Sequence, residues 1–401
     1  MIALEKTRWG VVTFLFGLGI LGAAQAFKMS PALPEIRQEL GLSLVAGGIL
    51  FSIINITPAL IGVGAGSLVD HFGYRRTLIV SLFGLAISGF LGSFSQTPDM
   101  MLLFRFCEGV SVLGIIITSP AMMSSITLPR QRNLTLSIWS SYLPTGAAIM
   151  MLISPYLLEE MGWRSLWQLS AGVSLVMAFI MIFAIKTPKL ATHKKSFRDL
   201  GRRLGDVLSR PVPWVLTLSF LFYTAIQGPL MAWMPTYLIE SKGMTVMAAG
   251  IVTAIVIISN VGGTMLGGFL MTKGLRHWQL VCLSGFFILI ASFSIFRETA
   301  SDGLRFLSCL SVVGISGILP SAIVASVPQF SPSFNHVATL NGMVIQGAQA
   351  GHFIGPPLYA FVVHQAGGDW SSASILFVVL SVMIMGAGVI LRRYSHHSEE
   401  I

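Results

Sequence analysis

Charge is what this 401-residue chain has least of. Asp, Glu, Lys and Arg together make up 10% of it, and only 16 residues are acidic. A soluble globular domain carries about a quarter charged residues, so a water-facing globule is excluded. Cysteine is scarce too: the three residues, Cys107, Cys282 and Cys309, sit apart in apolar runs. That scatter makes neither a disulfide framework nor a metal-ligand spacing. The sequence also lacks a Gly-x-x-x-x-Gly-Lys-[Ser/Thr] loop and any hydrophilic domain to hold one, so ATP-driven work by this chain alone is not expected. No nucleophile–base pairing stands out either. An enzyme is a poor fit, and neither a cofactor nor a metal is expected.

What the chain has in excess is apolar length, with 54% hydrophobic residues. Continuous runs of about twenty such residues recur, each long enough to cross a hydrocarbon core about 30 Å thick. They are unbroken rather than alternating, which argues for helices and against a β-barrel. Twelve spans can be drawn, at roughly 9–30, 44–69, 77–96, 99–125, 133–157, 163–186, 212–239, 244–271, 277–297, 302–328, 335–365 and 370–391. The net charge of +9 follows these spans. With the N-terminus inside, most Lys and Arg fall on cytoplasmic segments, while Arg37, Arg164, Lys242 and Arg297 fall outside. This is the positive-inside pattern, so the basic excess reports topology rather than a nucleic-acid partner. Both termini are expected in the cytoplasm, across a plasma (bacterial inner) membrane. Lys6, Arg8 and the run ending Ala24-Gln25-Ala26 imitate a cleavable signal peptide; cleavage would break the symmetry described next, and the segment is read as an uncleaved first span.

Residues 187–211 form a long polar connection rich in Lys and Arg. They read as a cytoplasmic linker, partly an amphipathic helix on anionic lipid. They divide a six-span half, 1–186, from a second, 212–401. The halves match. Arg105-Phe106, Ser111-Val112, Gly114-Ile115 and Pro120 recur 200 residues later as Arg305-Phe306, Ser311-Val312, Gly314-Ile315 and Pro320. Gly41, Ala46, Gly48-Ile49, Gly66 and Leu68 recur 202 residues later as Gly243, Ala248, Gly250-Ile251, Gly268 and Leu270. Parallel repeats about an axis along the membrane normal are a transporter architecture. Glycines four apart, at 62 and 66, 263 and 267, and 347, 351 and 355, allow close helix approach, for static packing or for sliding.

Ionisable groups inside spans cost roughly 2.5–3.5 kcal/mol each at a helix centre on insertion scales and need a reason. Lys28 lies one turn after Gln25, so the two share a face. Either Lys28 offers a fixed positive charge to a small anion, or it snorkels to the interface. Arg105 and Glu108 are one turn apart and expected to pair; Glu108 is the only carboxylate deep in a span, a candidate proton carrier or a permanent partner of Arg105. Arg305 has Ser308 where the first half has Glu108, which suggests an unpaired guanidinium suited to an anion. Gln346, Gln349 and His352 form a polar stripe along span 11, where His352 either titrates or is a structural histidine bonded to the glutamines. Trp139 and Tyr142 of span 5, with Tyr223, Gln227 and Trp233 of span 7, supply an aromatic wall with a few polar handles; for Trp233 the alternative is an outer interface.

The stretch between spans 2 and 3 reads Gly66-x-Leu68-x-Asp70-x-x-Gly73-x-Arg75-Arg76. It resembles the signature of the major facilitator superfamily, and the resemblance covers essentially the whole chain. Arg105 and Gly109 meet a second signature of that family, Arg-x-x-x-Gly in span 4. The antiporters' proline signature in span 5 is degenerate: Pro144 is present, but Leu143 and Ala147-Ala148 stand where glycines belong. Lys28 before Pro34, Trp139-x-x-Tyr142-Leu143-Pro144, and Phe222-Tyr223 to Trp233-Met234-Pro235 are similar to the cyanate-permease and nitroimidazole-transporter branch, which usually carries arginine in span 1. The resemblance implies an all-α fold of twelve helices in two pseudo-symmetric six-helix bundles, working as a monomer by alternating access. It also implies that Asp70 meets the start of span 11 near Asn335 as a one-sided cytoplasmic latch, since Thr272 replaces the acid in the second half. The expected cargo is a small organic or inorganic anion, moved with protons. The rivals are proton-coupled efflux of apolar or cationic compounds, and a receptor or scaffold that does not transport.

Overall fold

The computed structural model describes residues 7–185, 197–297, 299–333 and 336–397. Among them there is no strand. The helices, in chain order, are α1 (Trp9–Phe27), α2 (Met29–Glu39), α3 (Leu44–Ser52), α4 (Ile56–Phe72), α5 (Tyr74–Gly92), α6 (Pro98–Ser125), α7 (Arg132–Ser140) and α8 (Tyr142–Phe183). The second half continues with α9 (Phe197–Leu208), α10 (Pro211–Glu240), α11 (Val246–Thr272), α12 (His277–Ile295), α13 (Asp302–Val313), α14 (Ile318–Phe330), α15 (Val337–Gln365) and α16 (Ser374–His397).

Ten stretches among the described residues are long and apolar enough to span a bilayer. One of them, residues 129–183, is two spans: α8 turns at Gly162, whose φ of 72° is a left-handed value. The 29-residue α15 is also long enough to cross. Its glutamines and histidine thin its apolar character, and Pro356 and Pro357 leave the His352 and Phe353 carbonyls without their helical donors. The chain is thus an all-α membrane protein of twelve spans.

Several boundaries differ from those the apolar runs suggest, among them span 5, which is divided between α7 and α8 at Ser141. Span 1 continues as helix to Glu39 through α2, because helical hydrogen bonding outlasts the apolar run. Spans 2 and 10 are broken, the first by a short 3-10 turn at Ile53–Asn55 and the second at Gly314, each between two helices. Within the stretch 66–78 the turn is shorter than the apolar runs suggest. Helix α4 runs to Phe72 and α5 begins at Tyr74, leaving only Gly73, at φ 86°, to turn the chain. Part of the basic linker is the helix α9, and residues 186–196 lie outside the described residues.

The backbone repeats as the sequence does. Gly41 and Gly243 end α2 and α10 with the same φ of 63°. Ser43 accepts from the Ala46 N–H at 3.1 Å, and Thr245 from the Ala248 N–H at 3.2 Å, so α3 and α11 start on equivalent caps.

Spatially the chain forms two compact units. Unit 1 holds Met1–Leu42, Gly64–Phe197 and Pro235–Ala254; unit 2 holds Ser43–Val63, Arg198–Met234 and Ile255–Ile401. Within unit 2, a methyl on Gly48 would lie 2.8 Å from the Pro357 Cα. Within unit 1, one on Gly250 would lie 2.6 Å from the Pro155 ring. Both pairs obey the offset of 202, so each glycine admits a proline-bearing helix against its backbone. The tightest approach in unit 2 is Gly263, which faces the Gly314 carbonyl where span 10 breaks.

Gly263→Ala should lower the melting temperature of the purified protein, since overpacking costs about 1–3 kcal/mol. Its neighbour Gly262 has open space beside it, so Gly262→Ala should melt as the parent does. Equal melting of the two variants in a thermal-shift assay would contradict this packing.

Candidate functional site

The site begins with a proline. Pro31 has no N–H and cannot bond the Phe27 carbonyl four residues back, so the helical ladder is interrupted between α1 and α2 at Lys28. The interruption leaves carbonyls to be satisfied from elsewhere. Arg105 of α6 does this: Nη1 donates to the Gln25 carbonyl at 2.9 Å and Nη2 to that of Ala26 at 3.2 Å.

Around that junction lies a cluster of three charges, all within unit 1. Glu108 takes Arg105 Nη1 on Oε2 at 2.7 Å and Lys28 Nζ on Oε1 at 2.7 Å. All three side chains are 0% exposed. Lys28 Nζ also donates to Gln25 Oε1 at 2.7 Å and to Ser170 Oγ at 3.2 Å. An ammonium has three N–H groups, and all three are used. The Gln25 amide nitrogen donates to the Ser170 carbonyl and to Ser174 Oγ, each at 3.0 Å, which fixes its oxygen toward Lys28. The face of Trp167 closes the fourth side, 4.4 Å from Nζ.

The outer part of the same interface holds α8 in place. Glu35 accepts from the Trp163 N–H at 3.3 Å, next to the Gly162 turn. Glu39 accepts from Trp163 Nε1 and from Arg164, each at 2.6 Å. Trp163 then stands edge-on to Trp167, with ring centres 5.5 Å apart.

Lys28 is therefore neither at an interface nor holding a spare donor for an anion. Sequence reasoning did not find Trp167, Ser170 and Ser174. Their signal was an aromatic–hydroxyl stripe at helical spacing, which in an apolar span looks like ordinary packing.

The remaining residues are placed as follows. Trp139 and Tyr142, in unit 1, stack with ring centres 4.5 Å apart, Trp139 lying against Gly19. In unit 2, Asn260 Nδ2 donates to the Tyr223 hydroxyl at 2.9 Å. Gln346 donates to the Leu60 carbonyl at 2.8 Å. His352 rests its Nδ1 against Gly228 and bonds neither Gln346 nor Gln349. Gln227 is buried in α10. Trp233 is buried and donates to the Pro356 carbonyl at 3.0 Å, so it is not an interfacial anchor. Arg305 is not unpaired: Asp302, one turn earlier, accepts from it at 2.9 Å, and the Arg297 carbonyl at 2.7 Å. Of the signature, Arg75 donates to the Ile182 carbonyl at 2.7 Å near the end of α8, and Arg76 is exposed. The side chain of Asp70, beside Gly66 on α4, and Asn335 lie outside the described residues. Among the described residues no group of three His, Cys, Asp or Glu is placed to hold a metal ion.

Charge counting predicts an order of tolerance. Glu108→Ala leaves two buried cations without an anion and should cost about 3–5 kcal/mol of stability. Lys28→Met leaves the Arg105–Glu108 pair neutral and should cost less, as read by thermal melting in detergent. The reverse order would show that the charges do not balance in this way.

The comparisons with known proteins agree with this architecture. Residues 14–318 match the profile of the Major Facilitator Superfamily. The chain is 27% identical over 402 residues to the hexuronate transporter of Bacillus subtilis (strain 168), covering 94% of this chain and 93% of that protein. It is 24% identical over 385 residues to a probable nitrate/nitrite antiporter of Thermus thermophilus, covering 87% and 84%. Among solved structures, a bacterial homologue of the human lysosomal transporter Spinster, inward-facing and occupied, superposes with a TM-score of 0.79 at 17% identity over 97% of both chains. The twelve-span, twice-repeated chain belongs to the Major Facilitator Superfamily, a family of membrane transporters rather than enzymes.

Proposed function

We propose that the protein is a secondary transporter of small anions, organic acids foremost, which works by alternating access and couples their movement to protons. The observation that carries this reading is the charge of the buried cluster. Lys28 and Arg105 against Glu108 make a net of one positive charge at 0% exposure. In a medium of low dielectric such a charge is felt strongly and favours an anion nearby. The rival of exporting cations calls for a carboxylate with charge to spare, and both oxygens of Glu108 are held by cations.

The hexuronate and nitrate/nitrite relatives support the same cargo class, as does the resemblance of spans 1, 5 and 7 to the cyanate-permease and nitroimidazole-transporter branch. For substrate contacts, Trp139 and Tyr142 are the candidates in unit 1. In unit 2 they are Gln227 and Gln349, whose side chains have no hydrogen-bond partner among the described residues. The distribution of Lys and Arg supports an orientation with both termini cytoplasmic, in a plasma membrane.

The test is uptake by purified protein in sealed vesicles, with radiolabelled D-glucuronate, nitrate and benzoate as a sugar acid, an oxoanion and an aromatic acid. One of them should accumulate when the outside is made acidic, and an uncoupler should abolish the accumulation. No uptake of any of the three, with binding and export of organic cations instead, would overturn the reading.

A further inference from the structure

Within the proton-coupled reading just given, on which this inference rests, we propose that the proton carrier of the buried cluster is the Lys28 amine, not the Glu108 carboxylate. Glu108 is the obvious carrier, being the acid deep in a span. Its surroundings argue otherwise. Oε1 faces the Lys28 ammonium and Oε2 faces the Arg105 guanidinium, each at 2.7 Å. Both neighbours are donors. A proton added to either oxygen would point at an N–H and find no acceptor. It would also raise the buried charge from one positive unit to two. Arginine does not give up its proton in proteins.

Lys28 meets neither objection. Losing one proton leaves the cluster neutral, with the Glu108–Arg105 pair intact. The amine then keeps two donors, and two partners accept from it at 2.7 Å, Glu108 Oε1 and Gln25 Oε1. The third and longest contact, 3.2 Å, is to a hydroxyl, Ser170 Oγ. A hydroxyl is the one partner here that can exchange roles. Against the ammonium it accepts, and it donates to the Trp167 carbonyl at 2.9 Å. Against the neutral amine it turns and donates to the nitrogen lone pair. Both forms of Lys28 are thereby hydrogen-bonded without moving a heavy atom.

The groups facing Lys28 are Glu108 and Arg105 from α6, and Ser170 and Trp167 from α8, with Gln25 on its own helix. From α5, Gly89 lies against Glu108 Oε1. In the step itself an N–H bond of the ammonium breaks, the electron pair stays on Nζ, and the proton passes to water on the side then open. Reprotonation from the other side reverses it. The cluster is positive when it holds the proton and neutral when it does not, so one proton accompanies one negative charge of cargo. Ser170 is a positioning residue in this scheme.

The test compares two modes of transport in the vesicles described above, using whichever of D-glucuronate, nitrate and benzoate the parent exchanges. Exchange against internal unlabelled anion needs no proton; accumulation driven by a pH difference does. Lys28→Arg keeps the charge but cannot release the proton. It should lose pH-driven accumulation at least tenfold more than it loses exchange. Ser170→Ala should lose most of the accumulation with exchange intact, and Ser170→Thr, which restores the hydroxyl, should recover it. Accumulation unchanged in Lys28→Arg would overturn the proposal while leaving proton coupling standing, as would Ser170→Ala behaving like the parent should Lys28→Arg fail to fold. A parent that exchanges the anion but ignores the pH difference would overturn the proposal and the coupling, but not anion transport. A parent with no exchange at all would remove the transport reading along with it.

Discussion

One carboxylate ties the charged cluster of unit 1 together. Glu108 is shared between Lys28 and Arg105, at 2.7 Å to each and out of contact with water. Neither cation is tolerable there alone, since a buried charge keeps its place only when it is paired and fully hydrogen-bonded. The pairing fixes more than the charges. Through Lys28 and Gln25 it fastens α1 to Ser170 and Ser174 of α8, and through Arg105 it fastens α6 to the carbonyls at the break in span 1. Three spans meet at one acid.

Between α10 and α15 of unit 2 the helices meet by close backbone approach and neutral hydrogen bonds instead of charge. Lipid tails are as apolar as leucine, so burial of side chains gives helices little reason to associate within the bilayer. Association comes from close backbone approach, which the glycines supply. Gly347, Gly351 and Gly355 lie against Thr217, Thr224 and Pro229 of α10, and Gly48 and Gly250 lie against prolines. Thr224 adds a hydrogen bond to the Ala348 carbonyl at 2.8 Å. Unit 1 is therefore specified by polar partners at its centre, and α10 and α15 of unit 2 by missing side chains.

Much of this was legible in the residues. The spans, the repeat and the Arg105–Glu108 spacing need only composition, offset and helical periodicity. What was not legible depends on contacts distant in sequence. Lys28 and Glu108 are 80 residues apart, and no local rule says that they meet. Ser170 and Ser174 carry little signal, because serine hydroxyls in membrane helices usually bond their own preceding turn, as these also do. Arg305 is a different case. Its partner Asp302 stands one turn away and could have been read, but Asp302 sits at the rim of the span, where an acid looks like a helix start. The limits of span 1 escaped because hydropathy falls at Pro31 while the helix continues to Glu39.

The break in span 1 gives one side chain two duties. Pro31 removes the donor for the Phe27 carbonyl, and the guanidinium of Arg105 serves the two carbonyls before it, those of Gln25 and Ala26. A descendant that lost the arginine would strand those carbonyls and leave Glu108 to Lys28 alone, so the same residue answers for backbone and for charge.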